Sequence, residues 1–323
     1  MIEYQYSIYG LNISSNRKID ILQEQKVATI DLYVNWTTDI TETPDGLFDW
    51  EKVITDDLKK RKKISFFKSE KDSNNFYKLL FDETVGAATS IFIPNEKSLW
   101  IVYNKEDLLR DLDSQFIGPI LGCILRLKGE LCLHASVINI DGQAIAILGK
   151  KKMGKSTTAA AFSRLGYNIL ADDVAAVNII NNKLHIHPGY AKLRLRPNTL
   201  ALMHASDEHT LQSVYSHRNS KYADVTNSFC DITLPLGGIY AIKRTDIPDV
   251  KPHIEQIPYA KQIVTLNENV FANYVVTKDL RINEFKILSK IATTVAVRSI
   301  VAPNNLEYID LQCQAIIDDF RQA

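Results

Sequence analysis

Apolar and polar residues alternate in different ways along the two parts of this chain. In the first third, apolar positions fall in short runs of period-two or β-branched character, as at Tyr4–Tyr9, Val27–Trp36 and Ser90–Ile93. Polar turns such as Thr43-Pro44-Asp45-Gly46 separate these runs, and the pattern predicts a set of short strands. From Lys105 to about Lys128, Leu108, Leu109, Leu112, Phe116, Ile120 and Leu121 recur at spacings of three and four, which predicts helix. Beyond Leu131 the apolar runs are interrupted by a glycine loop and a periodic stretch, the strand–loop–helix–strand order of an α/β unit.

Two domains follow from this change of pattern: a smaller β-rich N-terminal domain over residues 1–115, and an α/β domain over residues 116–323. A length of 323 residues agrees, because single cores rarely grow past about 250 to 300 residues. No repeat of solenoid length is present.

The second domain can be placed residue by residue. Ala144–Leu148 predicts a buried strand, and Thr157–Leu165 a helix ended by Gly166. Between them runs Gly149-Lys150-Lys151-Lys152-Met153-Gly154-Lys155-Ser156, which satisfies G-x-x-x-x-G-K-[ST]. In such a loop, backbone N–H groups converge on phosphate oxygens, Lys155 faces the β and γ phosphates, and the Ser156 hydroxyl reaches Mg²⁺. Lys150, Lys151 and Lys152 are either further phosphate contacts or solvent-facing.

Upstream, His134–Ile140 and Gln143–Leu148 are joined by Asp141-Gly142, a strong two-residue hairpin turn. Pairing Ile140 with Gln143 and counting outward sets His134 opposite Gly149, at the mouth of the loop. Downstream, the strand Tyr167–Ala171 ends in Asp172-Asp173, and the carboxyl ends of strands in open α/β sheets form the ligand crevice. One aspartate can hold Mg²⁺ while the other accepts a proton from an attacking hydroxyl, or the pair can serve a nucleotide hydrolase.

Composition narrows the partners. Lys plus Arg and Asp plus Glu both number 38, so no bulk field steers the chain to nucleic acid or anionic membrane. The basic run Lys59 to Lys63 reads as a solvated face beside Asp56 and Asp57. Cys123, Cys132, Cys230 and Cys313 lack zinc-site or disulfide spacing, which fits a reducing, cytoplasmic compartment. The start MIEYQYSIYG lacks the pattern of a signal peptide, and Arg126 breaks the apolar segment from Phe116 to Leu127. His185 and His187 have no evident third metal ligand; His204, His209 and His217 fall in a polar, loop-rich stretch. Arg244, Lys261 and Arg298 are further cations to which no role is assigned.

The string LHASVINIDGQAIAILGKKKMGKSTTAAAFSRLGYNILADD resembles, without gaps from His134 to Asp173, the catalytic core of the HPr kinase/phosphorylase family. The resemblance implies a P-loop kinase domain of the HPr kinase and phosphoenolpyruvate carboxykinase type, using ATP and Mg²⁺. By position it implies His134 and Lys155 as catalytic, Ser156 as a magnesium ligand, Asp173 as the base toward an acceptor serine, and Asp172 as its partner at the metal. The loop residues Gly149 to Thr157 would hold the nucleotide.

Three departures stand out. Thr157 replaces a usual glutamate, the loop lysines replace a serine-glycine pair, and Arg194 in Leu193-Arg194-Leu195-Arg196-Pro197 replaces a metal-binding glutamate, leaving Arg196 to keep an arginine role. The expected activity is therefore a serine kinase without the reverse phosphorolysis. The β-rich N-terminal part, with its YSIYGLNI opening, resembles that of stand-alone relatives found beside peptide-modification genes, including lasso-peptide clusters. That resemblance implies a peptide or small-protein acceptor such as a ribosomally made precursor peptide, with the N-terminal domain as its recognition element. An ATP sensor without transfer and a carboxykinase-like phosphotransferase are the alternatives, and homo-oligomerisation stays open.

Overall fold

In this computed structural model the described residues are 3–58, 62–71, 74–81, 88–104, 109–200, 213–214, 219–247, 250–273 and 277–322. Lys59, Lys60 and Arg61 of the basic run, the start of the predicted helix at residues 105–108, and His204, His209 and His217 lie outside them. The chain forms two compact units: one spans Met1–Lys128 with short later pieces including Ala272–Thr277, and the other holds most of the remainder.

The first unit carries eight strands: β1 (Tyr4–Ile8), β2 (Leu11–Ser15), β3 (Leu32–Thr37), β4 (Glu51–Leu58), β5 (Lys62–Lys71), β6 (Asn74–Phe81), β7 (Ala88–Asn95) and β8 (Ser98–Tyr103). They form one sheet in the order β1-β2-β3-β8-β7-β6-β5-β4, parallel only at the two joints of β3. The strand expected over Val27–Trp36 starts only at Leu32, because the preceding residues are used differently. Asp31 accepts the Asn12 N–H at 2.9 Å, and the Val27 N–H donates to the Gln5 side chain at 3.2 Å.

The expected helix is likewise broken. It runs as α1 (Leu109–Gln115), a π-helical turn over Phe116–Ile120, and α2 (Leu121–Leu127). Pro119 lacks the N–H that a regular turn needs, so the backbone widens there. This helical stretch stays with the first unit, which ends at Lys128 rather than near 115. Phe116 packs edge-on against Trp36 with ring centroids 5.4 Å apart, and Arg17 pairs with Asp113.

The second unit begins with β9 (Leu131–Leu133), β10 (Ala135–Ile140) and β11 (Gln143–Leu148), followed by α3 (Lys155–Arg164), β12 (Asn168–Ala171), β13 (Ala175–Ile180) and β14 (Lys183–Ile186). Next come β15 (Lys192–Leu195), the single turn α4 (Pro197–Leu200), β16 (Lys221–Asp224), β17 (Leu234–Thr245), β18 (His253–Gln256), α5 (Tyr259–Glu268), α6 (Lys278–Thr294), β19 (Ala296–Pro303) and α7 (Ile309–Gln322). Nine strands form one mixed sheet, whose main path is β12-β10-β11-β17-β14-β13-β9, with β19 and β18 added beyond β17. Strand β12 does not lie beside β11 as a purely parallel sheet would have it. It pairs antiparallel with β10, which is itself antiparallel to β11, so β11 and β12 still point the same way.

Alternation along β11 explains the layers. Ala144, Ala146 and Leu148 enter one core cluster with α5 and α6, while Ile145 and Ile147 enter the other with α3 and α7. Each buried isoleucine is worth roughly 1.5–3 kcal/mol, so a one-residue slip of β10 against β11 is strongly disfavoured. Asp141 and Gly142 both take positive φ, 52° and 79°, as a two-residue turn of this kind requires. Among the described residues no helix is long and apolar enough to cross a membrane, and the four cysteines are buried and form no disulfide.

Candidate active site

The register locked by the hairpin is the one counted from the sequence. Ile140 faces Gln143 and Ala135 faces Leu148, so His134 and Gly149 are the next positions outward. Asn269, just past the end of α5, bridges them: its carbonyl accepts the His134 N–H at 2.7 Å, and its side-chain Oδ1 accepts the Gly149 N–H at 3.1 Å. Asn269 was not legible in the sequence, because nothing local marks a residue that reaches the loop across 120 positions.

The loop enters α3 through Gly154, whose φ of 99° favours glycine, and no side chain caps the helix there. The first N–H groups of α3 thus keep the partial positive charge that draws an anion. Lys155 is buried and donates to the Gly149 carbonyl at 2.7 Å, folding back over the loop. Burial lowers its pKa, opposed by the charges of Asp173 and Asp172. Lys150, Lys151 and Lys152 are exposed.

Ser156, on the first turn of α3, meets Asp172 at the end of β12. Asp172 is 1% exposed, and its Oδ1 accepts from Ser156 Oγ at 2.9 Å and Ser136 Oγ at 2.6 Å. Its Oδ2 accepts the Arg194 backbone N–H at 3.0 Å. Burial pushes the Asp172 carboxyl up, and the hydrogen bonds pull against it. Ser136 was missed, although a readable sign existed: it stands two residues after His134, and strand positions two apart share a face.

Asp173 takes φ 73°, which turns its side chain away from that of Asp172. His134 Nδ1 lies 2.9 Å from the Asp173 carbonyl and 3.2 Å from its Oδ1. Both neighbours only accept, so Nδ1 carries a proton toward them. Arg194 Nη1 donates to Asp173 Oδ2 at 2.6 Å, while its Nε donates to the Tyr190 hydroxyl at 3.1 Å. Burial alone would raise the Asp173 carboxyl, but the Arg194 guanidinium, with His134 and Lys155, holds it well below the usual carboxylate range. Two adjacent aspartates are thereby pushed in opposite directions, a feature of sites built for proton or metal chemistry.

Fold and register thus bring His134, Gly149, Lys155, Ser156, Asp172 and Asp173 together, and add Arg194, Ser136 and Asn269. Arg196 is exposed, and its carbonyl accepts from Thr199 and Leu200 at the start of α4. Thr157 Oγ1 pairs with Thr199 Oγ1 at 3.2 Å. His187 lies just past the end of β14, where its backbone N–H donates to the Ala176 carbonyl at 3.1 Å and its Nδ1 pairs with Thr233 Oγ1 at 2.9 Å. Among the described residues no cluster of three or more His, Cys, Asp or Glu is poised around a metal.

No protein-family model matches the chain. Over 109 residues it is 29% identical to the HPr kinase/phosphorylase of Clostridium kluyveri, found in two strains, across 32% of this chain and 35% of the relative. The chain therefore spans about a third of the length of the curated relatives it matches. Among solved structures, the Hpr(Ser) kinase/phosphatase from Coxiella burnetii aligns with a TM-score of 0.35 and 12% identity, covering 59% of this chain and 97% of that one. The chain is thus similar over those 109 residues to HPr kinase/phosphorylase, and its loop, histidine and acidic pair are assembled in one site.

Proposed function

We propose that this site binds ATP with Mg²⁺ and transfers the γ-phosphoryl group to a serine hydroxyl of a peptide or small protein. The observation that carries this reading is the juxtaposition of Ser156 and Asp172, 2.9 Å apart, with Lys155 and Asp173 beside them. The residues fit the groups required. Gly154 has no side chain to fill the loop, α3 is uncapped, and a hydroxyl and a carboxylate form the hard oxygen pair that Mg²⁺ favours. Ser156 and Asp172 would hold the ion, which when bound supplies charge neutralisation at the phosphates.

The chain's own groups then divide the work. Lys155 leaves the Gly149 carbonyl to pair with the β and γ phosphates, and the loop N–H groups orient them. Asp173 accepts the proton of the acceptor hydroxyl as its oxygen bonds to the γ-phosphorus, and the bond to the β-phosphate oxygen breaks to release ADP. His134 fixes the direction of the Asp173 carboxylate through Nδ1. Arg196 takes no part in this reading, being exposed. A ribosomally made precursor peptide is the acceptor proposed, with the β-rich first unit as the element that recognises it.

A second reading has one specific observation in its favour. Arg194 and His134 together engage both oxygens of Asp173, which weakens it as a base and suits a module that senses ATP without transfer. Mass spectrometry of serine-containing peptides incubated with the protein, ATP and Mg²⁺ separates the two. Transfer adds one phosphoryl group to a peptide; a sensor adds none while still binding nucleotide.

A further inference from the structure

We propose that Arg244, acting through Gln312 and Thr158, is a positioning residue that aims the phosphate loop's N–H groups at the nucleotide; this rests on the nucleotide-binding reading above. Arg244 lies near the end of β17 and reaches behind the loop. Its Nε and Nη2 both donate to the Met153 carbonyl, at 3.0 and 2.7 Å, and its Nη1 donates to the Pro303 carbonyl at 2.8 Å and Gln312 Oε1 at 3.1 Å. Gln312, on α7 and 1% exposed, passes the link on: its Nε2 donates to Thr158 Oγ1 at 2.7 Å. Thr158 Oγ1 donates in turn to the Gly154 carbonyl at 2.9 Å.

The circuit closes on two consecutive carbonyls, those of Met153 and Gly154. In a trans peptide the C=O and the following N–H point in opposite directions. Holding the Met153 carbonyl from behind therefore aims the Gly154 N–H to the other side, and holding the Gly154 carbonyl does the same for the Lys155 N–H. These are the donors that a phosphate-binding loop must present together. The fit is close: besides its φ of 99°, a Cβ at position 154 would lie 2.5 Å from Arg244 Nη2, so a side chain there would displace the guanidinium from its carbonyls.

Charge gives a second, independent argument. Among the described residues every partner of Arg244 is a neutral oxygen, with no carboxylate among them. A half-buried guanidinium with no carboxylate partner among the described residues, set behind an anion-binding loop, adds positive potential where a polyphosphate would sit. Arg164 and Arg298 differ in kind, since each pairs with an aspartate, Asp310 and Asp319 respectively.

The test uses the full chain with Arg244→Met, Arg244→Lys and Gln312→Leu, titrated calorimetrically with MgADP and melted without nucleotide. Arg244→Met is expected to weaken MgADP binding about tenfold or more, the loss of a little over 1.4 kcal/mol. Arg244→Lys should recover part of that affinity through its charge, and Gln312→Leu should weaken binding severalfold. A variant that melts earlier yet binds MgADP as tightly as wild type would show a merely structural role and overturn the inference. Should Arg244→Met fail to fold, a folded Gln312→Leu protein with unchanged affinity overturns it equally, and a weakened one upholds it. A wild-type chain that binds no MgADP removes the nucleotide reading itself, a distinct result.

Discussion

Arg194 places its Nη1 2.6 Å from Oδ2 of Asp173, and its own backbone N–H on the neighbouring Asp172. One residue thus engages both members of the acidic pair, holding Asp173 ionised while Asp172 is pushed toward its neutral form. Because the folded-state pKa of Asp173 is depressed, the stability it contributes is complete above the ordinary carboxylate range and is lost only as pH falls far below it. Arg194→Met leaves a mostly buried carboxylate without its cation, and unfolding at neutral pH should become easier by about 3 kcal/mol, the lower end for a broken buried pair. Chemical denaturation at pH 7 and at pH 3 checks this, with a smaller difference between the two proteins at the lower pH.

Asp172→Asn should behave in the opposite sense. A carboxyl raised by burial contributes fully at pH below its unfolded value and loses that contribution as pH rises through the folded one. An asparagine removes the charge and can still be satisfied, its oxygen facing the Arg194 N–H and its amide donating to the hydroxyls of Ser136 and Ser156. The variant should be no less stable than wild type at pH 8 without ligand, yet bind Mg²⁺-nucleotide more weakly. Thermal melts with and without MgATP measure both.

Lys155→Ala removes the buried cation that now rests on the Gly149 carbonyl. Nucleotide-induced thermal stabilisation should fall to near zero at concentrations that raise the melting temperature of wild type. A shift equal to that of wild type would take the loop out of the nucleotide site.

Much of this site was legible because its elements are local. The Asp141-Gly142 turn and the alternating isoleucines and alanines of β11 fix the His134–Gly149 register within sixteen residues of chain. The loop's glycines and the acidic pair sit on the same continuous stretch. Other parts depend on distant chain. Asn269 and Arg244 reach the loop from α5 and β17, and no periodicity marks a side chain whose partners are backbone carbonyls or N–H groups. Arg194 was visible only as an unusual residue; that its guanidinium would select Asp173 required the β15 backbone to be placed beside β12. The break in the first unit's helix was signalled by Gly118-Pro119, whose effect depends on whether the widened turn can be packed.

Asn269→Leu tests one of those distant contributions. It leaves the buried Gly149 N–H without an acceptor, a loss of about 1–3 kcal/mol in stability. It should also weaken MgADP binding, since Gly149 opens the loop. Amide hydrogen exchange of residues 149–155 should accelerate in this variant while that of β10 stays close to wild type.

The central claim is tested most directly by pairing wild type with Asp173→Asn in one experiment: MgADP titration of each protein, and mass spectrometry of a serine-containing peptide library incubated with each in MgATP. Wild type should bind nucleotide and add a phosphoryl group to peptide serine. Asp173→Asn should bind nucleotide with similar affinity and transfer almost nothing, because an amide cannot accept the hydroxyl proton. Undiminished transfer by Asp173→Asn, or nucleotide binding by wild type with no peptide modified, would contradict a kinase built on this acidic pair.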